Sequence, residues 1–310
     1  MAGVQHWSGY SLLPNLSAYN RNMMKTFVVY LFSVLVAVSC DVSAQKPRAS
    51  QSWLSRYNLQ DKQPKQFRLP KRISEASGLA MTSDGRLLSH DDERGVVYQL
   101  DYHRGQIVKQ FSIGNFGVQE DFEGIAVKKD TIYMVASNGT IFEFREGKAE
   151  DRMLFTQYKT SLSMKNDVEG LEYDPETNAL LLACKGSPGK EYQGKKAIYA
   201  FPLSTKKLEE QPRFLIPLDA VAKKSHKGGF HPSGIARHPT SGTFFIISAD
   251  GESVVEVGKD GKILAQAEIP KRVNSQPEGI AFTPNGLTLI LCNDGQGENG
   301  TLTLYPLEEK

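Results

Sequence analysis

The sequence predicts an all-β protein, a five-bladed β-propeller closed by an N-terminal strand. Three observations lead there. From about residue 66, short apolar runs separated by Gly, Asp, Asn and Pro alternate with period two, and no long stretch holds a 3.6-residue period. A short phrase recurs five times, as Ser77-Gly-Leu-Ala, Glu123-Gly-Ile-Ala, Glu169-Gly-Leu-Glu, Ser233-Gly-Ile-Ala and Glu278-Gly-Ile-Ala. Its glycines, at 78, 124, 170, 234 and 279, are spaced by 46, 46, 64 and 45 residues, a period that signals a radial or stacked array of short-stranded units. The last unit is one strand short.

Each unit divides into strands in turn. The second gives about Gly124–Val127, Ile132–Ala136, Thr140–Phe144 and Met153–Gln157. The third gives Gly170–Tyr173, Ala179–Cys184, Ala197–Leu203 and Arg213–Leu218, with the extra length of its interval placed in loops over 185–196 and 221–232. The fourth gives Gly234–Arg237, Thr243–Ser248, Ser253–Val257 and Ile263–Ile269. The fifth supplies only Gly279–Thr283, Leu287–Cys292 and Thr301–Tyr305, so the missing outer strand is expected from Phe67–Ile73. Closing the ring this way hides the sheet edges that would otherwise invite pairing with other chains.

The domain therefore spans 66–310, after a tether over 45–65 in which Trp53–Tyr57 reads as a short helical turn. Residues 1–44 differ in kind. Lys25 precedes the apolar run Phe27–Val38, which has the length of an export signal's apolar region rather than of a spanning helix, and residues 1–22 read as an extension ahead of Met23 or Met24. Two processing sites compete. Val42-Ser-Ala44 suits cleavage before Gln45, and Ala37-Val-Ser-Cys40 resembles a lipobox that would leave a lipid on Cys40. A retained signal anchor is the third alternative, and all three put the folded part in the cell envelope, membrane-associated or periplasmic or extracellular.

Lys and Arg total 37 against 35 Asp and Glu, a net charge of +2, which excludes a dedicated polybasic nucleic-acid binder. One locally basic side remains, formed by Lys185, Lys190, Lys195, Lys196, Lys223, Lys224 and Lys227; it reads as a solvated loop surface or as an attractor for an acidic envelope ligand. Beyond the export region only Cys184 and Cys292 remain, in equivalent positions of non-adjacent units, and they are expected as buried small hydrophobes rather than a disulfide.

The candidate site follows from the repeat. The first strand of each blade lines the channel of a propeller, so Glu123, Glu169 and Glu278 are expected to converge on one axis. Carboxylates so placed need a cation, protons or basic partners. The ends of the second strands add a further set of channel-rim candidates on the same face: Asp92, Asn138, Asp250, Asn293 and Asp294, with Ser77 and Ser233 at the two markers that lack a carboxylate. Oxygen donors without clustered His or thiolate suit calcium better than other metals. The alternative for the Asp and Asn residues is that they only turn the chain. No Gly-x-Ser-x-Gly elbow surrounds Ser77 or Ser233, and the His residues show no zinc spacing, although His90, His231 and His238 lie close to markers.

With these phrases in place the chain resembles the SdiA-regulated family of bacterial envelope-associated β-propellers. The resemblance rests on Glu75-Ala-Ser-Gly-Leu-Ala80, His90-Asp-Asp-Glu-Arg-Gly-Val-Val-Tyr-Gln-Leu-Asp101, Asp121-Phe-Glu-Gly-Ile-Ala126, Asp167-Val-Glu-Gly-Leu-Glu172 and Gln276-Pro-Glu-Gly-Ile-Ala281. It implies a five-bladed propeller, an N-terminal membrane attachment and a bound calcium ion, with the acidic marker positions at Glu123, Glu169 and Glu278. Ser77 and Ser233 depart from that pattern. Similar phrases occur in phytase-like, esterase-like and lactonase propellers.

The functional expectation is a non-enzymatic, calcium-binding propeller of the envelope that acts as a binding or scaffolding module for an unknown envelope ligand or protein. Its rival is a metal-dependent phosphoesterase or lactonase-like hydrolase that uses the three glutamates with His90 or His231.

Overall fold

The computed structural model describes residues 52–115, 117–221 and 229–308. The export region 1–44, including the lipidation candidate Cys40, and Lys223, Lys224 and Lys227 lie outside the described residues.

The described chain forms five sheets, one per blade, antiparallel throughout except for a two-residue parallel strand at the edge of the first. A closing strand β1 (Lys65–Arg68) precedes the first blade, which holds β2 (Ala76–Met81), β3 (Leu87–Asp91), β4 (Val96–Asp101) and β5 (Gln106–Ile113). The second holds β6 (Phe122–Lys128), β7 (Thr131–Ala136) and β8 (Ile141–Arg145), followed by β9 (Arg152–Met153) and β10 (Phe155–Tyr158). The third holds β11 (Val168–Asp174), β12 (Ala179–Cys184), β13 (Lys195–Pro202) and β14 (Phe214–Pro217). The fourth holds β15 (Gly234–Arg237), β16 (Phe244–Ser248), β17 (Ser253–Val257) and β18 (Ile263–Glu268), and the fifth holds β19 (Pro277–Phe282), β20 (Thr288–Asn293) and β21 (Thr301–Pro306).

Closure is as expected: β1 pairs antiparallel with β21, Lys65 opposite Leu304 and Arg68 opposite Thr301. The strand starts and stops earlier than the expected Phe67–Ile73. Pro70, which has no N–H to donate, ends the ladder, and Lys71–Ile73 turn as a 3₁₀ segment that buries Ile73. The expected strand Met153–Gln157 is in fact divided. Arg152 and Met153 run parallel to Ser112 and Ile113 at the edge of the first blade, and only β10 joins the second, with an exposed Leu154 between them.

Five apolar clusters fill the spaces between successive blades. The blades converge on inner strands β2, β6, β11, β15 and β19, each in contact with the next around the circle. The marker glycines explain how they approach so closely. A Cβ on Gly124 would lie 2.8 Å from the Leu171 backbone nitrogen, one on Gly170 3.1 Å from that of Ile235, and one on Gly234 3.0 Å from the Glu278 carbonyl oxygen. On Gly279 it would lie 2.9 Å from the Gly78 carbonyl carbon and 2.4 Å from Cys292 Sγ, completing the circle.

The segment expected as a tether is docked from at least residue 52 onward. Leu54, Tyr57 and Leu59 are buried in the cluster between the fourth and fifth blades. Tyr57 donates to the Gly286 carbonyl at 2.7 Å and its hydroxyl lies 2.9 Å from His238 Nε2. Glu256, fully buried in β17, accepts hydrogen bonds from Ser52 Oγ, the Leu54 backbone N–H and Thr243 Oγ1. The helical turn expected over Trp53–Tyr57 is a 3₁₀ turn, Leu54–Arg56.

Candidate functional site

The inner strands of four blades break register at the marker. In β6 Phe122 pairs with Ala136 and Gly124 with Val135; in β11 Val168 pairs with Cys184 and Gly170 with Ala183; in β19 Pro277 pairs with Asn293 and Gly279 with Cys292. Glu123, Glu169 and Glu278 are thus the extra residues of three β-bulges, and the first blade has a like irregularity over Ser77 and Gly78. A bulge re-aims the side chain of its unpaired residue. All three carboxylates line the narrow end of the channel with the marker glycines, around a space of about 10 Å³, the size of one water molecule.

Their surroundings differ. Glu169, 7% exposed, accepts a charge-assisted hydrogen bond from Lys185 Nζ at 2.8 Å. Glu123 accepts only from the neutral Ser77 Oγ at 2.9 Å; burial, and then the Glu169 charge, push its carboxyl well above the usual range. Burial also raises Glu169, but there the Lys185 ammonium opposes the rise, whereas at Glu123 only a neutral hydroxyl does. Glu278 is pushed up to about 8 by burial and by the neighbouring Asp294 and Glu169 carboxylates. Of the three remedies open to converging carboxylates, the residues present supply protons and one ammonium group.

The remaining candidates divide. Lys185 beside Glu169 and Asp294 beside Glu278 place the ends of the second strands on the same rim as the markers. Asp92 Oδ1 is buried with no hydrogen-bond partner among the described residues, and burial followed by the Glu75 and Asp91 charges raises this carboxyl to about 6. Asn138 Oδ1 accepts from the Thr140 N–H and Asp294 Oδ1 from the Gln296 N–H, so both brace turns. Asn293 donates to Asn274 Oδ1, and Ser233 links the Pro277 carbonyl to the Ala249 N–H. Asp250 is exposed at the rim, within electrostatic reach of Lys185.

His90 is fully buried, and burial lowers it to about 4; it stays neutral beneath Gly78, out of reach of the channel space. His238 is buried against Tyr57 at the opposite end of the inner strands. His231, by contrast, receives Lys196 Nζ at Nδ1, 3.1 Å away. The cysteines are buried and free, with the Cys184 thiol pushed up to about 12 by burial.

The expectation of a non-enzymatic calcium-binding scaffold requires correction. Among the described residues no three His, Cys, Asp or Glu side chains are placed together to hold a metal ion. The oxygen donors are of the right kind, but the Lys185 ammonium already stands against Glu169, and a divalent cation there would meet like charge.

At its other end the channel widens to a cavity of about 540 Å³, lined mainly by apolar side chains such as Met81, Ala126, Tyr173 and Phe282, with Glu172 and Arg237 among them. Burial raises Glu172 to about 8.

A five-bladed ring with three carboxylates raised on bulges at one end defines the class. The SdiA-regulated family profile matches residues 50–293, and the chain belongs to that family, consistent with an envelope-associated location. No curated protein matches. Among solved structures, the chain resembles a glutaminyl cyclase from Myxococcus xanthus at 14% identity and a TM-score of 0.52, over 79% of this chain and 94% of that one. A luciferin-regenerating enzyme matches at 10% identity and 0.48 over 79% and 95%, and a virginiamycin B lyase from Staphylococcus aureus at 16% and 0.41 over 76% and 68%. At these identities the cyclase likeness establishes the fold alone. The fold is thus one that catalysts also use and does not itself mark a non-enzymatic module; with no metal-holding group among the described residues, the calcium-scaffold reading falls.

Proposed function

We propose that this protein is an ester-cleaving hydrolase, of lactonase-like or phosphoesterase type, working from the channel end where Glu123, Glu169 and Glu278 meet. The observation that carries this reading is the unequal surroundings of two neighbouring carboxyl groups, Glu123 held by the neutral Ser77 hydroxyl and Glu169 by the Lys185 ammonium. Titratable groups whose surroundings push them apart are what acid–base chemistry needs near neutral pH. In this reading Glu169 accepts a proton from the attacking water, and Glu123 delivers its proton to the leaving oxygen. Lys185 is a positioning residue that holds Glu169 in its charged form. The residues present do not fit a resident divalent ion, and no step passes through one.

The test is a panel of lactones, phosphomonoesters and phosphodiesters, assayed with calcium and with chelator. Turnover that survives chelation and is lost in Glu169→Gln is expected. Turnover unchanged in Glu169→Gln, or none across the panel, overturns the reading; loss on chelation would restore a metal to the site.

The same proposal places the domain outside the cytoplasmic membrane, held by a lipid on Cys40 or released with Gln45 at its N-terminus. The apolar run Phe27–Val38 supports it, and mass spectrometry of the mature N-terminus distinguishes the two.

A further inference from the structure

Beside Lys185 lies a cavity of about 460 Å³ lined by residues of 185–196 together with Asp167, Leu218 and His231. Among the described residues its charged lining consists of Lys185, Lys190, Lys195 and Lys196 with a single carboxylate, Asp167, and His231 lies against Lys196. Lys196 is the unusual member. It is only 7% exposed, and its ammonium group points at the Lys185 carbonyl and His231 Nδ1. No carboxylate among the described residues forms an ion pair with it, nor with Lys190 or Lys195. Asp167 and Asp250 act on it only at a distance, as does the like charge of Lys185.

Burying an ammonium group away from a carboxylate costs free energy, and the cost is recovered when an anion arrives. The charge balance indicates what kind of anion. If Glu169 offsets Lys185 and Asp167 offsets one further lysine, two of the four positive charges of the described lining are left, with Asp250 outside the lining acting on them only at a distance. A carboxylate would neutralise half of that surplus. A phosphate monoester, which carries close to two negative charges and three acceptor oxygens at neutral pH, would neutralise all of it.

We infer that this cavity binds the phosphoryl group of a phosphate-bearing small molecule, with Lys196 and Lys185 as its inner ligands and Lys190 and Lys195 at its mouth. The inference deepens the hydrolase reading, because Lys185 touches both the cavity and Glu169, so an anchored phosphoryl group would hold the rest of the substrate at the carboxylates. Binding itself does not depend on turnover, which allows the two to fail separately.

The test is calorimetric titration of the full chain with inorganic phosphate, with acetate as the carboxylate comparison and chloride holding ionic strength constant. Saturable phosphate binding is expected, with acetate a poor competitor. Lys196→Gln should weaken it about tenfold or more, and the exposed Lys190→Gln by about threefold. Glu169→Gln should bind phosphate at least as well as the parent, since it frees Lys185, even though it is expected to abolish hydrolysis. Should Lys196→Gln fail to fold, the Lys190→Gln result decides. Absence of saturable binding, affinity unchanged in the lysine variants, or acetate binding as tightly as phosphate would each overturn the inference, whatever the hydrolase assay shows.

Discussion

The two ends of the channel are made from the same five inner strands but do different work. Where the strands begin, bulges raise Glu123, Glu169 and Glu278 into a space of one water molecule, and Lys185 is drawn in beside them. Where they finish, pairing is regular, the space opens to about 540 Å³, and Arg237 is committed to Asp174 and Glu176. Beside that second end the N-terminal segment braces the ring, through Tyr57 on His238 and Gly286. The contrast teaches that one irregular residue per strand is enough to turn a packing element into a chemical one, while the regular end of the same strand is left for stability.

The largest test of this division is at the braced end. Removing residues 1–59 uncovers Leu54, Tyr57 and Leu59 contacts and takes from buried Glu256 two of its three hydrogen-bond donors; a loss of about 3–5 kcal/mol in denaturant unfolding is expected. An unchanged midpoint would mean that the brace carries no load. At the other end, Glu169→Gln should lower kcat/KM at least about a hundredfold, while Glu172→Gln, at the regular end of the same strand, stays within about threefold. Equal losses would erase the distinction between the ends.

The pH dependence of stability is the next measurement. Folded Glu278 keeps its proton to about pH 8, whereas the unfolded chain releases it near the ordinary carboxylate value of 4.5. The folded state therefore binds the extra proton between these limits, so its contribution is complete below about pH 4.5 and is lost as pH rises through 8. Thermal melts of Glu278→Gln should show a flatter decline than the parent from pH 5 to 9, with a difference on the order of 1–3 kcal/mol at the alkaline end. Tyr57→Phe, which removes the hydroxyl on Gly286 and His238, should cost about 1 kcal/mol in the same melts and leave kinetics unchanged. Asn138→Ala is expected to have the smallest effect, about 0.5 kcal/mol, because its side chain only braces the turn to Thr140.

Much of this contrast is legible in the sequence. The five marker glycines report inner strands that approach within van der Waals contact, and the spacing of Glu169 from Lys185 and of Glu278 from Asp294 marks a shared rim. What stays hidden has physical causes. A bulge leaves no compositional trace, so the sequence places the glutamates on the channel strands without revealing that they are unpaired. Residues 52–64 have the polarity of a linker, yet Leu54, Tyr57 and Leu59 suffice to dock it. Lys185 occupies the position that Asp294 holds in the fifth blade, and that exception is the available signal for an ammonium at the site. Nothing local in Lys196 foretells its burial, which depends on its long-range contacts with the Lys185 carbonyl and His231.

The pairing of β1 with β21 has a consequence for how the chain reaches this state. The first strand of the ring to be synthesised finds its partner among the last residues, so the ring closes only after nearly the whole chain is available, and the loop it closes is among the longest the chain can form. Until then β1 and β21 each offer an open edge. A chain shortened from the C-terminal side into β21 exposes β1 and the next strand of the fifth blade at once, and such products should be lost to aggregation or proteolysis rather than persist as four-bladed proteins.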